Sequence, residues 1–364
     1  MPSYSRRQVL RQGSWAAVGM AMGWGGLTGC GGRPVRAAPI RGLRQMMPNS
    51  LIQSFDRQHQ LRERPTQMDN RSELFQALEQ PGSQPWVSLL GSDWLDQAIA
   101  KNLLQPFTAE QLPQQWTNLD PHWQQATQRQ GQTWGIPWRW GTTAIAYHRR
   151  RVDEPIREWA DLWRPELRQR ITLPDHPREV IGLTLKSLGR SYNDQIDADD
   201  AELVERLGSL HQQVLSYTSD QYQQILRMGD SWVAVGWTED LFALQKNYPL
   251  YEVVIPTSGS ALWYDCWVLP RQEASGSSTS SPPDWIPDWL EWVLALENTP
   301  RIMELSRIAS VVSIPPEQIS SQLRERTDLV ADAFAHGELW DPLSPNQAII
   351  LLTLWQQMRQ GTLG

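Results

Sequence analysis

Apolar positions fall into two spacings along this chain. Over residues 50–60 and 71–79 they recur every three or four positions, the repeat of a helix with one buried face. Residues 86–90 instead read as a short buried-strand candidate, and 95–104 return to helical spacing. Further on, 171–173, 233–236, 251–255 and 263–269 read as strands, each bounded by Pro, Gly or Asp. Helices are expected between them at 179–188, 200–214 and 289–296. Short buried strands alternating with helices predict an α/β fold.

The first 39 residues follow neither spacing. Met1–Gly29 contains no Asp, Glu or Lys, and its charges are Arg6, Arg7 and Arg11. That is the layout of a signal peptide, and the run from Ser5 to Arg11 resembles a twin-arginine export signal with Val9 where Phe or Leu is usual. Residues 13–29 are glycine-rich and shorter than the roughly 20 strongly apolar residues of a spanning helix. They end in Leu27-Thr28-Gly29-Cys30, which resembles a lipobox, so cleavage before a lipidated Cys30 is expected. Residues 30–39 would then be a tether.

Cleavage at that point moves the net charge from −7 to −10, because it removes three arginines and no acid. An acidic body argues against nucleic acid, which demands a basic face. The 335 residues left suit two domains. Cys266 would be the one cysteine remaining, which precludes an internal disulfide. Twenty tryptophans dilute the significance of any one of them. Residues 272–283 are Ser, Gly, Thr and Pro-rich and read as a surface loop.

No nucleophile elbow, zinc-protease motif, P-loop or dinucleotide fingerprint is present. The six histidines stand without metal-ligand spacing. No catalytic residue, metal site or cofactor is nominated, and an enzyme is not expected.

The informative stretch is the middle. Asn118-Leu119-Asp120-Pro121, Ile136-Pro137-Trp138-Arg139-Trp140-Gly141-Thr142-Thr143-Ala144-Ile145 and Trp159-Ala160-Asp161-Leu162-Trp163-Arg164-Pro165-Glu166 occur in order, followed by Pro174-Asp175-His176-Pro177-Arg178-Glu179-Val180 and Leu262-Trp263-Tyr264-Asp265. These blocks closely resemble the spermidine/putrescine-binding proteins of bacterial ABC importers. The resemblance implies a two-lobed α/β periplasmic-binding-protein fold of type II, with discontinuous lobes joined by crossover strands and a ligand cleft between them. It divides the chain into residues 40–141 plus 267–312 and residues 142–266 plus 313–364. It also implies a monomeric, lipid-anchored binding protein outside the cytoplasm that delivers a small, polyamine-like cation to an inner-membrane permease.

Such a ligand calls for carboxylates and aromatic faces. Trp263 and Asp265 lie two apart on an expected strand and so share a face. The resemblance gives them the roles of stacking Trp and amine-binding Asp, makes Trp237 a further cleft Trp and makes Glu179 an amine-binding carboxylate. Each has a plainer reading: core packing for the tryptophans, a strand-end polar residue for Asp265, and a helix cap behind Pro177 for Glu179. His176 stands where the family has a second acid, Asp93 where it has a Tyr, Asp341 where it has a Gln, and Leu43-Arg44-Gln45-Met46 where it has an aromatic cluster. These departures point to a cation other than spermidine or putrescine. They leave open an orphan scaffold or sensor without transport, and an anion or metal ligand; Arg139 and Arg178 are the local candidates for an anion.

Overall fold

The computed structural model describes residues 40–44, 46–59, 65–80, 86–272, 285–306 and 308–363. The expected signal segment, Cys30, the tether and the 272–283 loop beyond Gln272 lie outside the described residues.

A single strand, Ile136–His148, organises the fold. Its first half pairs antiparallel with Ala261–Pro270, with Asp265 opposite Arg139 and Trp263 opposite Gly141. Its second half pairs antiparallel with Val233–Trp237, with Trp237 opposite Thr143. Tyr251–Val254 adds to that second half as well. Outward from Ala261–Pro270 come Val87–Gly91, Ile40–Leu43 and Thr66–Met68; outward from Val233–Trp237 come Ile171–Leu173 and Val214–Tyr217. The pairs within each outer group are parallel, so helices such as Arg71–Leu78, Pro177–Ser187 and Ala201–Gln213 carry the chain across.

Side chains separate into distinct cores along this sheet. One gathers Leu43, Phe55, Trp138, Trp140, Trp267 and Trp289, and a second gathers Ile145, Tyr147, Trp159, Ile181, Val235 and Trp355. Ala144, Ala146 and Ala234 face a third cluster with Tyr222 and Leu241 on the other side of the second half-sheet. Strand Ile136–His148 thus leaves one core at Trp140 and enters the next at Ile145. The two-lobed α/β fold is present, and this crossing strand joins its lobes.

Strand Ile171–Leu173 matches the expected 171–173, and the expected strand at 233–236 runs one residue further, to Trp237. The helix expected at 95–104 is Ser92–Ala100 instead. Asn102 stops it by taking a left-handed φ of 58°, with the Leu103 N–H bonded to the Ala98 carbonyl at 3.0 Å. Leu104, freed from the helix, pairs with Pro270 in the sheet.

Candidate ligand-binding site

Alternate residues of a strand share a face, and on the crossing strand Arg139, Gly141 and Thr143 form one such row. Each meets a different partner. Arg139, 1% exposed, donates from Nε to Asp265 Oδ2 at 2.7 Å, while Nη2 lies 2.6 Å from the same oxygen and Nη1 lies 3.1 Å from Glu239 Oε2. Gly141 is covered by Trp263; a Cβ there would stand 2.4 Å from the indole ring, so only glycine lets the ring lie on the backbone. Thr143 donates its hydroxyl to Glu179 Oε1 at 2.9 Å.

Glu179 is held from the opposite side by the helix Pro177–Ser187. Pro177 opens that helix, and the cap is His176, whose Nδ1 accepts the Glu179 N–H at 3.3 Å. The Glu179 side chain is therefore not a cap; it turns to the crossing strand. It is 2% exposed, and its second oxygen, Oε2, accepts no hydrogen bond among the described residues. Burial, with a smaller push from Asp93, outweighs the Thr143 hydrogen bond and Arg178 and raises its pKa to about 8. At neutral pH Glu179 holds a proton.

The other end of the row is acidic but internally neutralised. Arg71, from the start of Arg71–Leu78, places Nη1 3.7 Å from Asp265 Oδ1. Burial acts to lower its pKa, but Asp265, Asp93, Glu239 and Asp240 outweigh that and raise it. Glu239 and Asp240 open the helix Thr238–Asn247 behind Trp237, and burial raises both of their pKa values. Leu43 and Met46, which occupy the place of an expected aromatic cluster, line the narrow space beside Arg71, Asp93 and Asp265.

A cavity of about 490 Å³ is lined by chain neighbours of the row's partners, Pro177 and Arg178 before Glu179 and Leu262 and Tyr264 on either side of Trp263. Asp93 and Trp94 of helix Ser92–Ala100 line one side, and His176, Arg178 and Trp340 line the other. The His176 ring stacks on Trp340 with centroids 5.0 Å apart. Burial lowers its pKa, which disfavours a positive charge on His176, the residue that stands where the family has a second acid. Arg178 lies over the same Trp340 at 5.1 Å, donates to Asn193 Oδ1, and has its pKa lowered to about 10 by burial.

The family model for bacterial extracellular solute-binding proteins matches residues 50–280. The chain belongs to this family. Its relatives include spermidine/putrescine-binding periplasmic protein 1 of Haemophilus influenzae, 24% identical over 229 residues, covering 62% of this chain and 63% of that protein. The spermidine/putrescine-binding periplasmic protein of Salmonella typhimurium is 32% identical over 155 residues, covering 42% of this chain and 44% of that one. The matched region thus spans between about half and two-thirds of these relatives' lengths. Among solved structures, the spermidine/putrescine substrate-binding protein PotD of Streptococcus pneumoniae superposes with a TM-score of 0.76 at 21% identity, covering 89% of this chain and 98% of that one. The TpPotD lipoprotein of Treponema pallidum gives 0.67 at 18%, covering 88% and 98%. At these identities the superpositions establish the fold alone.

Within this solute-binding protein, Trp263, Asp265, Trp237 and Glu179 flank one row on the crossing strand, and Asp93 and His176 border the adjoining cavity. Asp341 stands apart. It is exposed, bonds through its N–H to Asn193 Oδ1 at 3.0 Å, and lines a separate space of about 280 Å³ in the second lobe. Sequence reasoning missed Arg71, Thr143 and Glu239. The period-2 row from Arg139 to Thr143 was the available signal for Thr143. Nothing local marked Arg71 or Glu239, which arrive from helices remote in sequence.

Proposed function

We propose that this chain is the substrate-binding lipoprotein of a bacterial ABC importer, that it takes a small organic cation between its lobes, and that it hands the cation to a membrane permease. The observation that carries the reading is Glu179: a buried carboxyl with one oxygen unpartnered, bonded to Thr143 one step along the row from the Gly141 that Trp263 covers, and influenced by the Asp93 charge. A buried polar atom without a partner is costly, and an ammonium supplies both the donor and the opposite charge. The polyamine-binding names of the relatives agree with a cationic ligand. Export through the 1–29 segment and anchoring at Cys30 belong to the same reading. Lobe boundaries also belong to it: Leu262, Tyr264 and Cys266 pack in the first core, as does Phe334 against Trp123 and Trp140, which favours giving 262–270 and the helix Ser321–His336 to the first lobe.

The internal pairing of Asp265 with Arg139 favours the second reading, a scaffold of this fold without a transported ligand. A thermal-shift panel of polyamines, primary and quaternary amines, basic amino acids, sugars, anions and ferric ion separates the two. A ligand at 100 times its dissociation constant stabilises by about 2.7 kcal/mol, well within detection. Stabilisation by an organic cation that is lost in Glu179→Gln supports the first reading. A shift from an anion or metal alone refutes it, and silence from the whole panel favours the scaffold.

A further inference from the structure

The row on the crossing strand meets a carboxyl group at each end, Asp265 at Arg139 and Glu179 at Thr143. Thr143 and Arg139 are four residues apart, which places the ends roughly 13 Å from each other along the strand. Their charge states differ. At one end Asp265 is 1% exposed and already holds the Arg139 guanidinium, Glu239 holds another nitrogen of the same group, and Arg71 stands 3.7 Å from the second Asp265 oxygen. At the other end Glu179 Oε2 is buried and unpartnered, while Asp93 borders both the cavity of about 490 Å³ and the narrow space it shares with Arg71 and Asp265.

We infer that the ligand carries one ammonium group, received at Glu179, and that Arg139 and Arg71 stand in for a second ammonium at Asp265 and so exclude linear diamines. This inference rests on the cation-binding reading above and narrows its substrate class. A diamine reaching along the row would bring its distal charge against two tethered guanidinium groups, that of Arg139 fully buried, where like charges repel with less screening than in water. A monoamine places only carbon there, and Trp263 over Gly141 offers an apolar face midway along the row. Arg71 is the more adjustable of the two gatekeepers, since its side chain is 37% exposed while that of Arg139 is 1% exposed.

The test compares n-octylamine with 1,8-diaminooctane, which have the same carbon chain, are long enough to run along the row and differ by one ammonium, using calorimetric titration of the purified full chain and of Arg71→Gln. The expected result is at least tenfold tighter binding of the monoamine by the unsubstituted chain, with the ratio moving at least tenfold toward the diamine in Arg71→Gln. Equal or tighter diamine binding by the unsubstituted chain overturns the inference while leaving the cation reading intact. A monoamine preference that Arg71→Gln leaves unchanged overturns the role given to the arginines. Absence of binding by these and every other organic cation overturns both readings together.

Discussion

Glu179→Gln removes a titratable proton from the Thr143 end of the row while keeping the shape of the side chain. The native carboxyl releases its proton only near pH 8, because burial disfavours the charge, against an ordinary value of 4.5. Between those values the unfolded chain is ionised at this position and the folded chain is not, so the folded state binds more protons. Stability attributable to this group therefore falls as pH rises through that window and levels off above about pH 8. Each pH unit contributes about 1.4 kcal/mol, so the loss approaches 3 kcal/mol at pH 7 and about 5 kcal/mol at pH 9. The glutamine variant lacks this slope. Its carbonyl can still accept from Thr143 Oγ1, and its buried amide N–H groups add a cost of about 1–3 kcal/mol that does not vary with pH. Urea unfolding of both proteins at pH 5, 6, 7, 8 and 9, with m-values checked for constancy, isolates the pH-dependent part. The difference in unfolding free energy should shift toward the variant by several kcal/mol between pH 5 and pH 9. Parallel curves would refute the reasoning, because they would mean that Glu179 is hydrated and ionises at its ordinary pH.

Four further outcomes follow from the same geometry. Cation binding at pH 7 should release a proton from Glu179, seen as a dependence of calorimetric enthalpy on buffer ionisation heat, and affinity should rise with pH up to about 8; a pH-independent affinity contradicts this. Arg139→Met leaves Asp265 and Glu239 without their guanidinium and should cost about 3–5 kcal/mol in denaturant unfolding, while a loss below 1 kcal/mol would mean that the pair is solvated. Gly141→Ala pushes a methyl group into the Trp263 ring and should cost about 1–3 kcal/mol and weaken ligand binding; unchanged tryptophan fluorescence and affinity would show that the ring is not seated there. Burial raises the Cys266 pKa, so a thiol reagent should label Cys266 only on unfolding, and fast native labelling would contradict its burial.

How far the sequence foretold this structure depends on the range of the interactions involved. Strand Ile171–Leu173 announces itself because β-branched Ile171 and Thr172 precede Leu173 and Pro174 closes it. Trp263 and Asp265 share a face because strand period is local, and the structure places both beside the crossing strand. The direction of the Glu179 side chain is not local. Pro177 marked a helix start, but whether the carboxyl capped it or left it depended on His176 accepting the N–H and on Thr143, 36 residues earlier, donating a hydroxyl. The occupation of Asp265 was equally hidden, since Arg139 lies 126 residues away and becomes its neighbour only through strand register. The bias toward basic or acidic chemistry in a cleft is set by such pairings, and residue identity supplies only the candidates.

The two ends of the row share a requirement and meet it by different means. A buried carboxylate in a low-dielectric setting needs a compensating positive charge. At Asp265 that charge is the Arg139 guanidinium, carried on the crossing strand by a side chain that is 1% exposed, so a solute must displace a buried, tethered group to replace it. At Glu179 the charge is a proton, which is bound at neutral pH and leaves at modest cost when a better cation arrives. Exchange of a proton for an ammonium changes no buried net charge at this end, so the large desolvation cost of ionising Glu179 is met by the ligand that ionises it. On the proposed cation reading, the ligand would be directed to the end of the row where the counter-charge is mobile, and the Arg139 end contributes geometry: it ties Glu239 of helix Thr238–Asn247 to Asp265 of the neighbouring strand and so fixes the helix start that carries Trp237.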